Sequence, residues 1–332
     1  MNGSEDDTGS LLWTGVKLLG CGALIAAIGF AIAVLGTSGT VAESHADVAW
    51  LSPFERSNTE RFDTALEHLG HDEAQRFNLN GNTVYFSSNT SRKSPRQVMA
   101  EYQEEFRNQG LNDRIYVDLA DEDAIHRAKT ALTGGLVPFA ISGEKIALRG
   151  VVTANNARSN EELAEAHRHA DSLDELFRAH RFIEITRPSN SQNTSIIATW
   201  SDETFDFERM IPGSHATGQA FDATVPSCPG CTRLTRFADD NPNSSHRATL
   251  SFIGPRSLEE TRTFYLRALA QDGWSRRDID KPLHKLQDKF GIAIDTQGTT
   301  DVFHRRGEQL TLSFTPDEQT GQTLTLASHT GS

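Results

Sequence analysis

The chain has 332 residues, 37% hydrophobic and 23% charged, a composition that excludes a disordered polar chain and leaves room for two domains of ordinary size. Its 45 Asp and Glu outweigh 32 Lys and Arg, giving a formal net charge of −13. That balance argues against nucleic acid as a partner, because phosphate binding needs clustered cations that this surface would assemble against its own field.

The first element is an uncharged apolar run from Leu18 to Leu35. At about 1.5 Å per residue it makes a helix of roughly 27 Å, close to the roughly 30 Å hydrocarbon thickness of a bilayer. Residues 18–36 are therefore expected to span a membrane. Lys17 flanks the span on one side and the next basic residue with a permanent charge is Arg56, so residues 1–17 read as a cytoplasmic tail and the rest as extracytoplasmic. A cleaved signal peptide is the competing reading, with small-residue sites at Thr40–Ala42 and Ser44–Ala46. The acidic leader (Glu5, Asp6, Asp7) and the length of the run favour a retained anchor. Cys21 lies inside the run, where it reads as a small buried side chain.

Residues 37–78 read as a tether and a short helix, Thr59–Leu69, in which Phe62, Ala65, Leu66 and Leu69 recur at helical spacing. A first module, residues 79–155, follows. Thr83–Ser88 alternates as a strand, and a helix opens at Ser94-Pro95, buries Val98, Met99, Tyr102 and Phe106, and stops at Gly110. A hairpin then spans Val137–Leu148 with Gly143 at its turn.

Residues 156–212 read as a connector. Ser159–His180 is expected to be one long amphipathic helix, with Leu163, Ala166, Ala170, Leu173 and Phe177 on one face. Two alternating runs, Phe182–Thr186 and Ser195–Trp200, make either a hairpin on the first sheet or a small third unit. Glu165, His167, His169 and Asp171 cluster on this helix as a solvated face, since no metalloprotease spacing occurs.

The second module, residues 213–330, repeats the first. Ala248–Ile253 reads as a strand, and a helix opens at Ser257 with Glu260 completing a capping box. This helix aligns without a gap on the earlier one: Ser94 with Ser257, Tyr102 with Tyr265, Gly110 with Gly273 and Leu111 with Trp274. Asp301–Leu312 aligns on the earlier hairpin at an offset one residue longer, matching Gly143 with Gly307. Thr323–Leu326 adds a further strand. The expected fold class is α+β: a single N-terminal transmembrane helix, then two duplicated βαββ modules, each packing one helix on a small antiparallel sheet.

Cys228-Pro229-Gly230-Cys231 is the sharpest local motif. It can be a disulfide, a redox dithiol or half of a zinc site. A redox dithiol places its first cysteine at a helix N-terminus, whereas here Thr232–Phe237 alternates like a strand. Zinc lacks a second cysteine pair, leaving only His215 and His246 nearby. In an exported domain the pair reads as a structural disulfide. Asn89, Asn193 and Asn243 head glycosylation-type triplets, which are short enough to arise by chance. No phosphate loop and no nucleophile elbow occurs, so no catalytic, cofactor or metal residue is assigned and the chain does not read as an enzyme.

Val225-Pro-Ser-Cys-Pro-Gly230 before a strand, Phe264-Tyr265 on a helix and Gly273-Trp274 at its end resemble a bacterial envelope module with a Pro-x-Tyr-Pro-Gly-Ala opening, a Phe-Tyr helix and a Gly-Trp end. The chain departs from that pattern in carrying Cys228 and Cys231 where it has Tyr and Ala. The resemblance implies an envelope location and a βαββ fold, and carries over no active residues. The expectation is a membrane-anchored, extracytoplasmic binding or scaffold protein at the plasma membrane of a bacterial envelope, with a protein partner or self-association. Its marked residues are structural: Gly110, Gly143, Gly273, Trp274, Gly307 and the cysteine pair. The alternatives are a tethered thiol-disulfide protein using Cys228 and Cys231, and an accessory subunit whose Gly20, Gly22, Ala26, Ala27 and Gly29 let helices approach closely.

Overall fold

Ser57, Ser94 and Ser257 each open a helix with the same reciprocal cap in the computed structural model, which describes residues 56–71, 73–119, 124–154, 160–211, 225–240, 247–277, 299–317 and 320–331. Each serine hydroxyl accepts from the backbone N–H three residues on, and the Glu or Gln there accepts from the serine N–H, which satisfies two otherwise orphaned donors. In chain order the elements begin with α1 (Asn58–His68), β1 (Gln75–Leu79), β2 (Asn82–Ser91), α2 (Pro95–Asn108), α3 (Ala124–Leu132), β3 (Val137–Ile141) and β4 (Lys145–Thr153). They continue with α4 (Asn160–His169), β5 (Phe177–Thr186), β6 (Thr194–Trp200), β7 (Thr232–Asp239), β8 (Arg247–Gly254), α5 (Leu258–Gln271), β9 (Ser275–Arg277), β10 (Thr299–Arg305), β11 (Glu308–Pro316) and β12 (Thr323–Thr330).

The chain divides into two compact units, residues 1–76 with 82–208, and residues 77–81 with 209–332. In the first, the strand order is β3-β4-β5-β6-β2, every neighbour antiparallel. Ile146 and Leu148 of β4, Ile183 and Ile185 of β5, and Ile196, Ala198 and Trp200 of β6 alternate onto one face. There they meet Phe62, Ala65 and Leu66 of α1 and Val98, Met99, Tyr102 and Phe106 of α2. The period-2 and period-3.6 patterns thus close one core.

In the second unit, Phe77–Leu79 of β1 pair with β7, and the order continues β7-β8-β12-β11-β10-β9, again antiparallel. Leu250, Phe252, Phe303, Leu310, Leu312, Phe314 and Ala327 from the sheet pack on Tyr265 and Leu269 of α5, with Trp274 and Cys228 at the margin.

These ladders overturn the duplicated βαββ reading. The described residues hold twelve antiparallel strands against five α-helices, and each unit runs strand, helix, then a four-strand meander whose last strand returns to the first. In the first unit β6 returns to β2, and in the second β12 returns to β8. The aligned hairpins are not equivalent: β3 ends its ladder, whereas β10 is flanked by β9 and β11. The helix alignment coincides with α2 and α5, both 14 residues long.

The expected helix Ser159–His180 is also corrected. It ends at His169, and Phe177–His180 already belong to β5, because Val151–Thr153 of β4 offer that segment ladder partners. The 3.6-period of Leu173 and Phe177 was coincidental, and tertiary pairing overrides it. β5 and β6 are therefore interior strands of the first sheet, not a third unit. Three elements, β1, α3 and β9, went unread in the sequence. Among the described residues no helix is long and apolar enough to cross a membrane. The expected span 18–36, with Cys21 and the tether up to residue 55, lies outside the described residues, as do His215, Asn243 and His246.

Candidate functional site

The cysteine pair forms a disulfide, with the two Cα atoms 5.3 Å apart. Pro229 and Gly230 occupy the centre of its turn, Gly230 at φ +79°, and Cys231 N–H donates to the Cys228 carbonyl at 2.9 Å. A proline followed by a left-handed glycine is what a type II turn requires. β7 starts directly after it, so no helix N-terminus activates either sulfur. Cys228 is buried in the second core and Cys231 half-buried. Gly254, at the end of β8, lies against the Cys231 sulfur so closely that a β-carbon there would overlap it. The crosslink closes the turn that leads into β7, and the end of β8 packs against it through Gly254.

Around the end of α5 the structure gathers three of the residues marked in the sequence: Gly273, Trp274 and Gly307. Gly273 takes φ +80°, its N–H donates to Ala270, and Trp274 N–H donates to Leu269, which closes the helix. Trp274 is buried, edge-on to His329 with ring centroids 5.7 Å apart. Arg305 stacks over its indole at 4.5 Å, donates from Nη1 to the Asp272 carbonyl at 3.2 Å, and pairs with Glu308 at 3.1 Å. Arg306 and Gly307, at φ +48° and +88°, make the two-residue turn from β10 to β11. A recess of about 330 Å³ opens here, lined by Asp272, Gly273, Ser275, His304, Arg305 and Arg306.

One strand inward, Asp301 of β10 is buried between two arginines. Arg262 of α5 grips it bidentately at 2.7 and 3.1 Å, and Arg276 of β9 reaches it at 2.6 Å. Burial works to raise its pKa, but the hydrogen bonds and charges of Arg262 and Arg276 outweigh that and hold the carboxylate below its usual range. This triad ties α5 and β9 to the sheet.

The first unit holds two polar clusters that sequence reasoning missed. His71 bridges Ser87 Oγ at 2.9 Å from Nδ1 and Tyr102 OH at 2.7 Å from Nε2, all three buried. A serine beside an imidazole is the start of nucleophilic chemistry, yet Ser87 is only 2% exposed. Its role is polar satisfaction of the core. Arg181 is wholly buried over the Phe62 ring at 4.8 Å, donating to the backbone carbonyls of His180 and Ser201 and to Thr59 Oγ1. Burial pulls its pKa down to about 10, opposed by the charge of Asp63, so it stays cationic. Beside it, burial and then the Arg181 charge push His180 down to about 3, so His180 is neutral. An arginine inside an otherwise alternating apolar run, His180-Arg181-Phe182-Ile183, was the signal that could have found this pair.

The remaining marked residues stand apart. Gly110 (φ +70°) closes α2, and its carbonyl accepts from Arg61 at 3.2 Å. Gly143 has open space around it and no left-handed φ, so its turn does not demand glycine. Glu165 pairs with Arg168 and with His169 at 2.9 Å on the surface of α4, and among the described residues no cluster of His, Cys, Asp or Glu could hold a metal. No protein-family model matches the chain, and no curated protein matches its sequence.

Proposed function

We propose that the chain is a membrane-tethered, extracytoplasmic binding protein of a bacterial cell envelope. The observation that carries this reading is the Cys228–Cys231 disulfide, seated at the margin of the second core with Gly254 against it. Such a crosslink persists in oxidising compartments and is rare in the cytosol. The apolar run 18–35 supplies the tether. Binding, not catalysis, is favoured because the serine–imidazole contact between Ser87 and His71 is sealed in a core.

Strand addition is disfavoured as the binding mode. β3 carries Pro138 and a bulge between Pro138 and Ala140, and β9 is three residues long with Arg276 and Arg277 exposed, all of which blunt an edge. The contact surface is then made by side chains.

The test uses intact cells. Maleimide labelling of the denatured, unreduced chain is expected to find Cys21 alone, and reduction is expected to release two further thiols. Protease added outside spheroplasts should digest the portion beyond residue 37, while the chain sediments with membranes through an alkaline wash. Free thiols at Cys228 and Cys231 in fresh cells, or protection of the bulk of the chain from external protease, would overturn the proposal. Half-exposure of Cys231 favours a second reading, a thiol-disulfide exchanger. Ready reduction by a glutathione buffer supports that reading, and resistance to it supports the structural crosslink.

A further inference from the structure

We propose that the recess between the end of α5 and the β10–β11 turn binds a phosphate-type oxyanion, carried either by free phosphate or by a lipid headgroup. This goes beyond the tethered binding role and does not depend on where the chain resides. Four observations converge on the recess. It has about 330 Å³, room for a phosphate group with part of its substituent. The side chains of two of its lining residues, His304 and Arg306, engage no hydrogen-bond or ion-pair partner among the described residues, and Ser275 adds a hydroxyl.

Arg306 is held at φ +48°, a left-handed conformation that a two-residue hairpin ordinarily gives to Asn, Asp or Gly. A non-glycine residue held there is an outlier of the kind that gathers at ligand-binding turns. Finally, the negative groups around the recess other than the Asp272 carboxylate are already answered. Asp301 is paired with Arg262 and Arg276, Glu308 with Arg305, and the carbonyl of Asp272 at the negative end of α5 accepts from Arg305. The recess thus presents the Arg306 guanidinium with the His304 ring beside it, against the Asp272 carboxylate among its lining groups, in a chain whose net charge is −13. Arg305 is a positioning residue: held by Trp274, Glu308 and Asp272, it fixes the turn that presents Arg306.

The test titrates the full chain in neutral detergent micelles with sodium phosphate at constant ionic strength, read by tryptophan fluorescence, since Trp274 lies directly under Arg305. A saturable change is expected, weakened at least tenfold in Arg306→Asn and largely kept in Arg306→Lys. Asn accepts the left-handed turn more readily than Arg, so Arg306→Asn should melt no lower than the parent, which separates loss of binding from loss of fold. A second arm places the chain in nanodiscs of phosphatidylcholine with or without phosphatidylglycerol. Phosphate excluded only by the anionic discs identifies a headgroup as the source, and phosphate bound alike in both identifies the free ion. No saturable response, or equal affinity in Arg306→Asn, would overturn the proposal. Because the micelle arm needs no membrane tether, its failure is distinguishable from failure of the tethered reading.

Discussion

Arg181 and His180 show how a single peptide step carries opposite electrostatics: the guanidinium stays charged in the first core while the adjacent imidazole is held neutral. Truncating Arg181 to Ala removes four hydrogen bonds, the contact with Phe62 and a favourable charge near Asp63. The expected cost is about 3 kcal/mol in urea unfolding. Arg181→Met should cost less, since it fills the space. His180 gives a pH signature. Its ordinary pKa is 6.5 and the folded value is about 3, so between these the unfolded chain binds the proton that the native state refuses. Its contribution is complete above about pH 6.5 and declines by about 1.4 kcal/mol per pH unit as pH falls toward 3. The check is the urea midpoint measured across pH 7 to 4, with His180→Gln flattening the slope.

At the level of elements, the interior strands are those that sequence reasoning treated as accessories. Thr323–Thr330 pairs with β8 on one side and β11 on the other, register by register, so it closes the second sheet. Ending the chain at Asp317 is expected to abolish cooperative folding of the second unit, seen as loss of its protease-resistant fragment. The disulfide acts on a smaller scale. Closing so short a loop constrains the unfolded chain by about 2 kcal/mol, so Cys228→Ser with Cys231→Ser should lower stability by that amount and keep the fold, measured by denaturation with and without reductant. Ser94→Ala and Ser257→Ala should each cost about 1 kcal/mol, because each removes a cap that satisfies a backbone donor. The caps at Ser94 and Ser257 were legible because cap and apolar stripe lie within a few residues of chain, whereas the Ser57 box went unread. Strand pairing was not, since a partner such as β12 for β8 stands some seventy residues away.

For the whole molecule, the acidic surface predicts no retention on duplex DNA at physiological salt, and a mobility shift there would contradict the charge argument. The sequence by itself determined the helix α1, the helices α2 and α5 with their caps and glycine stops, most strand segments, and the Cys-Pro-Gly-Cys turn, because each is encoded by residues a few positions apart. Only the tertiary structure decided that Phe177–His180 joins a ladder instead of a helix, that α2 and α5 each lead into a four-strand meander, and that Gly273, Arg305 and Arg306 line one recess. Those outcomes depend on which distant strand supplies the hydrogen-bond partner and which core excludes water. Local spacing carries no term for either.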